Sequence, residues 1–268
     1  AVKQWANIPI QDLTRTMIVE KKTELLEKSS GRSNGPGAAN RFLTVIRGIC
    51  KTACAEGWCD RNPAEQVKKC RIQKRARFID EDEIVTFFEH LGKLKPAKQD
   101  YFLLALFTGA RRSNVCAMAW ADVNLQRAVW SIPGDASKNK EPMILPLTDV
   151  AMEILKRRRK ADPDAIWVFP GRAKSGHFVE PKHQWKQLLT DSGMENLRIH
   201  DLRRTLGSWQ SIAGTPLQTI GASMGHVSMA ATLIYARLNT QVVRKSVQET
   251  ADAIGVAVAA KKSKKSPK

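Results

Sequence analysis

Arg111, His200, Arg203, His226 and Tyr235 are side chains whose types and order suit chemistry at a phosphate. Breaking a phosphodiester without a metal takes a nucleophile, fixed cations that hold the charge developing at phosphorus, and an acid for the leaving oxygen. Three clusters supply such groups. In Thr108-Gly109-Ala110-Arg111-Arg112-Ser113-Asn114-Val115, glycine interrupts an apolar helix just before a new helix that opens on arginine, so backbone donors and a guanidinium meet. An arginine that merely caps the preceding helix explains that motif equally well. In Ile199-His200-Asp201-Leu202-Arg203-Arg204-Thr205-Leu206, His200 and Arg203 stand at i and i+3 and share a helix face, with Leu202, Leu206 and Trp209 as an apolar stripe opposite. Gly207 lies one turn beyond Arg203, where a missing side chain lets something bulky approach. The third cluster is Met224-Gly225-His226, then Thr232 and Tyr235: glycine marks a helix end, and the next helix, spanning 229–236, carries the tyrosine. Taken singly, His-x-x-Arg is more often a helix start than a catalytic pair, and Tyr235 reads as a packing residue.

Tyr101 sits inside the apolar run YFLLALF and reads as core, whereas Tyr235 lies among polar neighbours near the end of a helix. A phenol has a reference pKa of about 10, so it needs neighbouring cations or a base to attack phosphorus. A two-metal nuclease would need converging carboxylates, and no carboxylate cluster in the sequence argues for one. Cys50, Cys54, Cys59 and Cys70 lack the paired C-x2-C spacing of structural zinc sites, and with Cys116 they make an odd number. Reduced thiols are expected, with no metal and no cofactor.

The elements that must position these residues follow from pattern. Leu13 to Glu27 has helical spacing, residues 29–37 read as a loop, and a second helix runs through Phe42, Val45, Ile46 and Ile49. The turn at 57–63 ends it before a short third helix. Residues 67–77 carry Lys68, Lys69, Arg71, Lys74, Arg75 and Arg77 with little core-forming pattern, which suits an extended linker near phosphates. Asp80 starts the next helix, with Glu83 completing a capping box. Residues 128–133 and 143–147 look like strands joined by a turn at 134–142, and Thr148 caps a helix with Val150, Ile154 and Leu155 on one side. Further helices are expected at 181–191, 200–212, 216–223 and 240–256, before a basic, disordered tail. The net charge of +18, from 44 Lys and Arg against 26 Asp and Glu, calls for a polyanion, and by itself does not separate nucleic acid from an acidic membrane surface. No run approaches the roughly 20 apolar residues of a membrane span, and the N-terminus lacks a secretory signal, so a cytoplasmic, DNA-associated chain is expected.

Together the clusters resemble the catalytic half of the tyrosine recombinases, the lambda-type integrase family, and their order is similar to that in integrases of prophages and genomic islands. The resemblance implies a mainly α (α+β) chain: a helical core-binding domain over 1–72, with its Gly-Trp-x-x-Arg-Asn-Pro exit at 57–63, a basic linker at 73–77, a catalytic domain with a small antiparallel sheet over 78–258, and a tail at 259–268. It implies that Arg111 and Arg203 clamp the scissile phosphate, that His226 adds a hydrogen bond, and that His200 manages the proton of the nucleophile Tyr235. Lys138 would protonate the leaving 5′ oxygen, with Lys140 the competing candidate. The family usually has glutamate where Asn114 stands, which puts the support of Arg111 in question. Also implied are a two-domain clamp on double-stranded DNA, a homotetramer on that DNA, accessory DNA-bending proteins and no membrane partner. The helix at 240–256, with Val242, Val243, Val247, Ala251 and Ile254, docks either on a neighbouring subunit or on its own domain. An arm-binding domain ahead of residue 1 is a further expectation. A type IB topoisomerase, which shares the covalent chemistry, and a catalytically silent DNA-binding regulator are the rival readings.

Overall fold

The computed structural model describes residues 5–27, 35–73, 75–134, 141–226, 228–236 and 240–263. The chain divides into two compact units, Ala1–Arg75 and Ala76–Lys268. In the first, helices α1 (Arg15–Glu27) and α2 (Gly35–Ala55) pack around Ile18, Phe42, Leu43, Ile46 and Cys50. Gly35, Pro36 and Gly37, expected in a loop, form the first turn of α2 instead. Proline is tolerated there because the first N–H groups of a helix have no intrahelical acceptor. The short helix expected after Pro63 is a turn: the Arg47 guanidinium donates to the carbonyls of Ala64 and Val67, which diverts acceptors that a helix would use. The basic stretch that follows is stitched to α2 by Asn40, whose amide donates to Cys70 O at 2.8 Å and accepts from Cys70 N at 2.7 Å. All five cysteines are free thiols.

The second unit opens with α3 (Glu81–Gly92), and Asp80 accepts from Glu83 N at 3.1 Å. The other half of the expected capping box does not form, because the Glu83 carboxylate is taken up by the Arg77 guanidinium. Next come α4 (Pro96–Thr108) and the short α5 (Arg112–Cys116). A three-stranded antiparallel sheet follows, in the order β1 (Val123–Asn124), β2 (Val129–Ile132), β3 (Met143–Pro146). Trp130 pairs with Leu145 across it and both face the core; β1 went unanticipated because two residues are too short to show an alternating pattern. Thr148 caps α6 (Asp149–Ala161) by accepting from Ala151 N. The buried stripe of α6 is Ala151, Met152, Ile154 and Leu155, and Val150, expected on that side, is 41% exposed.

Helix α7 (Lys182–Ser192) ends at Gly193, and α8 (Ile199–Ile212) runs through the unit's interior. Both backbone groups of Ile79 are fixed by α8: its N–H donates to Thr205 Oγ1 at 3.0 Å and its carbonyl accepts from Trp209 Nε1 at 2.9 Å. The face of α8 read as polar is also buried, at Arg203, Gly207, Ser208 and Ser211. Last come α9 (Leu217–Ser223), α10 (Met229–Thr232) and α11 (Thr240–Ser263). The helix expected at 229–236 stops at Thr232, so Tyr235 lies in the turn beyond it. Helix α11 continues past 256 into the segment expected to be a disordered tail, through an alanine-rich stretch of high helix propensity. Among the described residues no helix is long and apolar enough to cross a membrane.

Asp100, 2% exposed on α4, is held by two arginines of α6: Arg157, and Arg158 at 3.2 Å. Replacing it with alanine leaves the partly buried Arg158 without this acceptor. Asp100→Ala should therefore destabilise the chain by about 1–3 kcal/mol, read as a lowered urea midpoint of tryptophan fluorescence.

Candidate active site

Arg203 projects from α8 into the protein rather than toward solvent and is 6% exposed. Its guanidinium donates to two backbone carbonyls, those of Gly109 and Met224. Each is the C-cap of a helix: Gly109 (φ 59°) ends α4 and Met224 ends α9. Helix C-termini present unpaired carbonyls and partial negative charge, a favourable seat for a cation. Among the described residues no carboxylate pairs with Arg203 or with the half-buried Arg111, the N-cap of α5. Burial, partly offset by Tyr235 and reinforced by the charge of Arg111, holds the Arg203 pKa down to about 10, so it stays protonated at neutral pH.

Tyr235 is 3% exposed and packs with Ile220 and Met224. It rests on α8. A Cβ at Gly207 would lie 2.5 Å from Tyr235 Cζ, so glycine is what admits the ring there. Four residues further along the same face, Ser211 Oγ donates to Tyr235 O at 2.8 Å. Burial raises the phenol's pKa, while the charges of Arg203 and Arg204 pull it down. Tyr101 is buried as expected: its hydroxyl donates to Arg112 O at 3.2 Å and its ring packs edge-on against Phe102 and Phe169.

His226 follows a glycine turn that closes α9. Gly225 (φ 59°) donates to Ala222 O at 3.0 Å and His226 N to Gly221 O at 2.8 Å, the paired bonds of a Schellman ending. Its Nδ1 is 2.9 Å from Thr232 Oγ1. Burial, then the charges of Arg203 and Arg111, hold its pKa down to about 4. His200 lies exposed at a groove of about 600 Å³ that it lines with Arg111, Arg112 and Glu180. Partial desolvation and the charges of Arg203 and Arg204 lower its pKa too.

The structure thus brings Arg111, His226 and Tyr235 within electrostatic reach of one buried cation, Arg203. His200 joins them through the charge of Arg203, and no hydrogen bond among the described residues links it to Tyr235. Lys138 and Lys140 lie outside the described residues. Asn114 is buried, and its Nδ2 has no hydrogen-bond partner among the described residues. Sequence reasoning missed Ser211, although a step of four from Gly207 along α8 leads to it. It also missed the Arg112–Glu180 ion pair at the groove, 68 residues apart and without any local signal.

The phage integrase family model matches residues 77–242. The chain is 25% identical to the integrase of Salmonella phage P22, covering 88% of this chain and 69% of that protein. It is 27% identical to tyrosine recombinase XerC of Xylella fastidiosa (strain 9a5c), covering 76% of this chain and 71% of the relative. A solved structure of Tn1549 transposon integrase in complex with a circular intermediate DNA has the same fold, with a TM-score of 0.69, 15% identity, and coverage of 85% of this chain and 82% of that one.

Two outcomes follow from the geometry. Gly207→Ala should destabilise the chain by about 1–3 kcal/mol through overpacking, and Tyr235→Ala should relieve that cost in a double-mutant cycle while Tyr235→Phe, which keeps the ring, does not. Because the His226 pKa is about 4 when folded and about 6.5 when unfolded, the unfolded chain takes up a proton first on acidification. Stability should fall as pH drops from about 6.5 toward 4, and His226→Gln should flatten part of that slope in thermal melts; His200 acts in the same sense and remains in both proteins.

Proposed function

Because the chain belongs to the phage integrase family, we propose that it is a site-specific recombinase that cuts and rejoins double-stranded DNA through a 3′-phosphotyrosine on Tyr235. The observation that carries this reading is the buried Arg203 guanidinium, which has helix-end carbonyls but no carboxylate among the described residues, and whose charge is felt at both Tyr235 and His226. A scissile phosphate supplies the anion this arrangement lacks. Arg203 has further N–H donors beyond those given to the carbonyls, and with Arg111 it holds the non-bridging oxygens in a planar fork that lysine cannot reproduce. His226 adds a donor, and His200 manages the phenol proton.

The Tyr235 oxygen attacks phosphorus, the bond to the 5′ oxygen breaks, and that oxygen takes a proton from Lys138. Attack by a 5′ hydroxyl of another strand reverses the step, releases the tyrosine and conserves the bond energy, so no ATP is consumed. Residues 1–72 serve as a core-binding domain, 73–77 as a basic linker and 78–258 as the catalytic domain, with the +18 charge favouring DNA by counterion release. The exposed Val243, Val247, Ile254 and Val256 on α11 support docking of that helix on a second copy, as a homotetramer on DNA requires. Integration or excision of a mobile element in the cytoplasm, aided by DNA-bending proteins, fits this assembly.

A suicide substrate that loses its 5′ fragment on cleavage should trap a covalent adduct with the wild-type chain. Tyr235→Phe should abolish the adduct, and Arg203→Lys should lower its rate of formation by about 10²–10³. Absence of an adduct with the wild type would point to a silent DNA-binding regulator and sink the proposal. Relaxation of supercoils without exchange between two sites would identify a topoisomerase instead.

A further inference from the structure

His226 and Thr232 come from separate elements and meet through the 2.9 Å contact between Nδ1 and Oγ1. Thr232 closes α10 and is 1% exposed. Gly221 organises both partners. Its carbonyl accepts the His226 N–H at 2.8 Å, and a Cβ there would come to 3.0 Å from Thr232 Oγ1, so its missing side chain leaves that space to the hydroxyl.

A neutral imidazole carries its proton on one nitrogen, and the partner of the other nitrogen selects which. If the threonine hydroxyl donates to Nδ1, the proton sits on Nε2. If Nδ1–H donates instead, the hydroxyl proton needs another acceptor, and among the described residues Oγ1 has no hydrogen bond other than that to His226. A buried donor without an acceptor is unfavourable, so the first arrangement is preferred. Burial, then the charges of Arg203 and Arg111, keep the ring neutral at neutral pH, which makes Nε2–H its remaining polar group.

We propose that Thr232 is a positioning residue that holds His226 in the Nε2–H tautomer, so that the ring donates to the phosphate held by Arg111 and Arg203. The inference rests on the reading of the site given above. Without the hydroxyl, the ring is free to present an Nε2 lone pair to an anion, which repels it.

Single-turnover cleavage of the suicide substrate by the full chain tests this. Thr232→Val keeps the shape and removes the hydroxyl; it should slow cleavage by about 10- to 100-fold at saturating enzyme, the range for hydrogen-bond partners of ligating histidines. Thr232→Ser should restore the rate. Nitrogen NMR of the histidine-labelled wild type, which needs no variant to fold, should report His226 as the Nε2–H tautomer. An Nδ1–H tautomer there, or wild-type cleavage by Thr232→Val beside slow cleavage by His226→Ala, overturns the inference alone. Wild-type cleavage by His226→Ala overturns the assignment of His226 at the site and this inference with it.

Discussion

A buried cation, Arg203, seated on helix-end carbonyls and with no carboxylate partner among the described residues, is the constraint on which the rest of this structure turns. Removing a guanidinium from water is costly unless its donors find acceptors, and here two helix ends take one donor from each terminal nitrogen. The C-termini of α4 and α9 converge on Arg203, both next to glycines in the left-handed region, at Gly109 and Gly225. Carbonyl dipoles compensate a positive charge only in part. The remainder acts on its neighbours, adding to burial in lowering the pKa of His226 and opposing the rise that burial causes at Tyr235.

One face of α8 ties the cation to the candidate nucleophile. His200, Arg203, Gly207 and Ser211 succeed one another at steps of three and four, so they stand in line along the helix. Arg203 reaches the carbonyls, Gly207 receives the tyrosine ring, and Ser211 holds the tyrosine backbone. A single rigid element therefore sets the relation between cation and phenol. The opposite side of α8 is occupied too, by Leu202 in the core and by Thr205 and Trp209 on Ile79. A helix anchored on both sides has little freedom to shift.

Much of the local structure was legible in the residues. Helix caps at Asp80 and Thr148, the glycine stop at Gly109 and the two longer strands follow from side-chain chemistry acting within a few residues. Misreadings arose where a distant or competing partner intervened. Arg77 took the Glu83 carboxylate from the capping box, and Arg47 took the carbonyls that a third helix would have needed. The same limit applied to α8, where periodicity separated an apolar stripe from a polar one but did not reveal that the polar one is buried at Arg203, Gly207 and Ser211.

The sequence by itself determined which groups exist, their order along the chain, and the helix ends and faces that carry them, because propensity, capping and periodicity are properties of near neighbours. It marked Arg203, His226 and Tyr235 as belonging together through their resemblance to a family pattern, and its excess of positive charge pointed to a polyanion. Only the tertiary structure decided that Arg203 is buried, that its acceptors lie 94 and 21 residues away, and that Thr232 is the partner of His226. Those facts depend on which helix ends are packed together, and burial and electrostatic field are set by everything that surrounds a group rather than by what precedes and follows it in the chain.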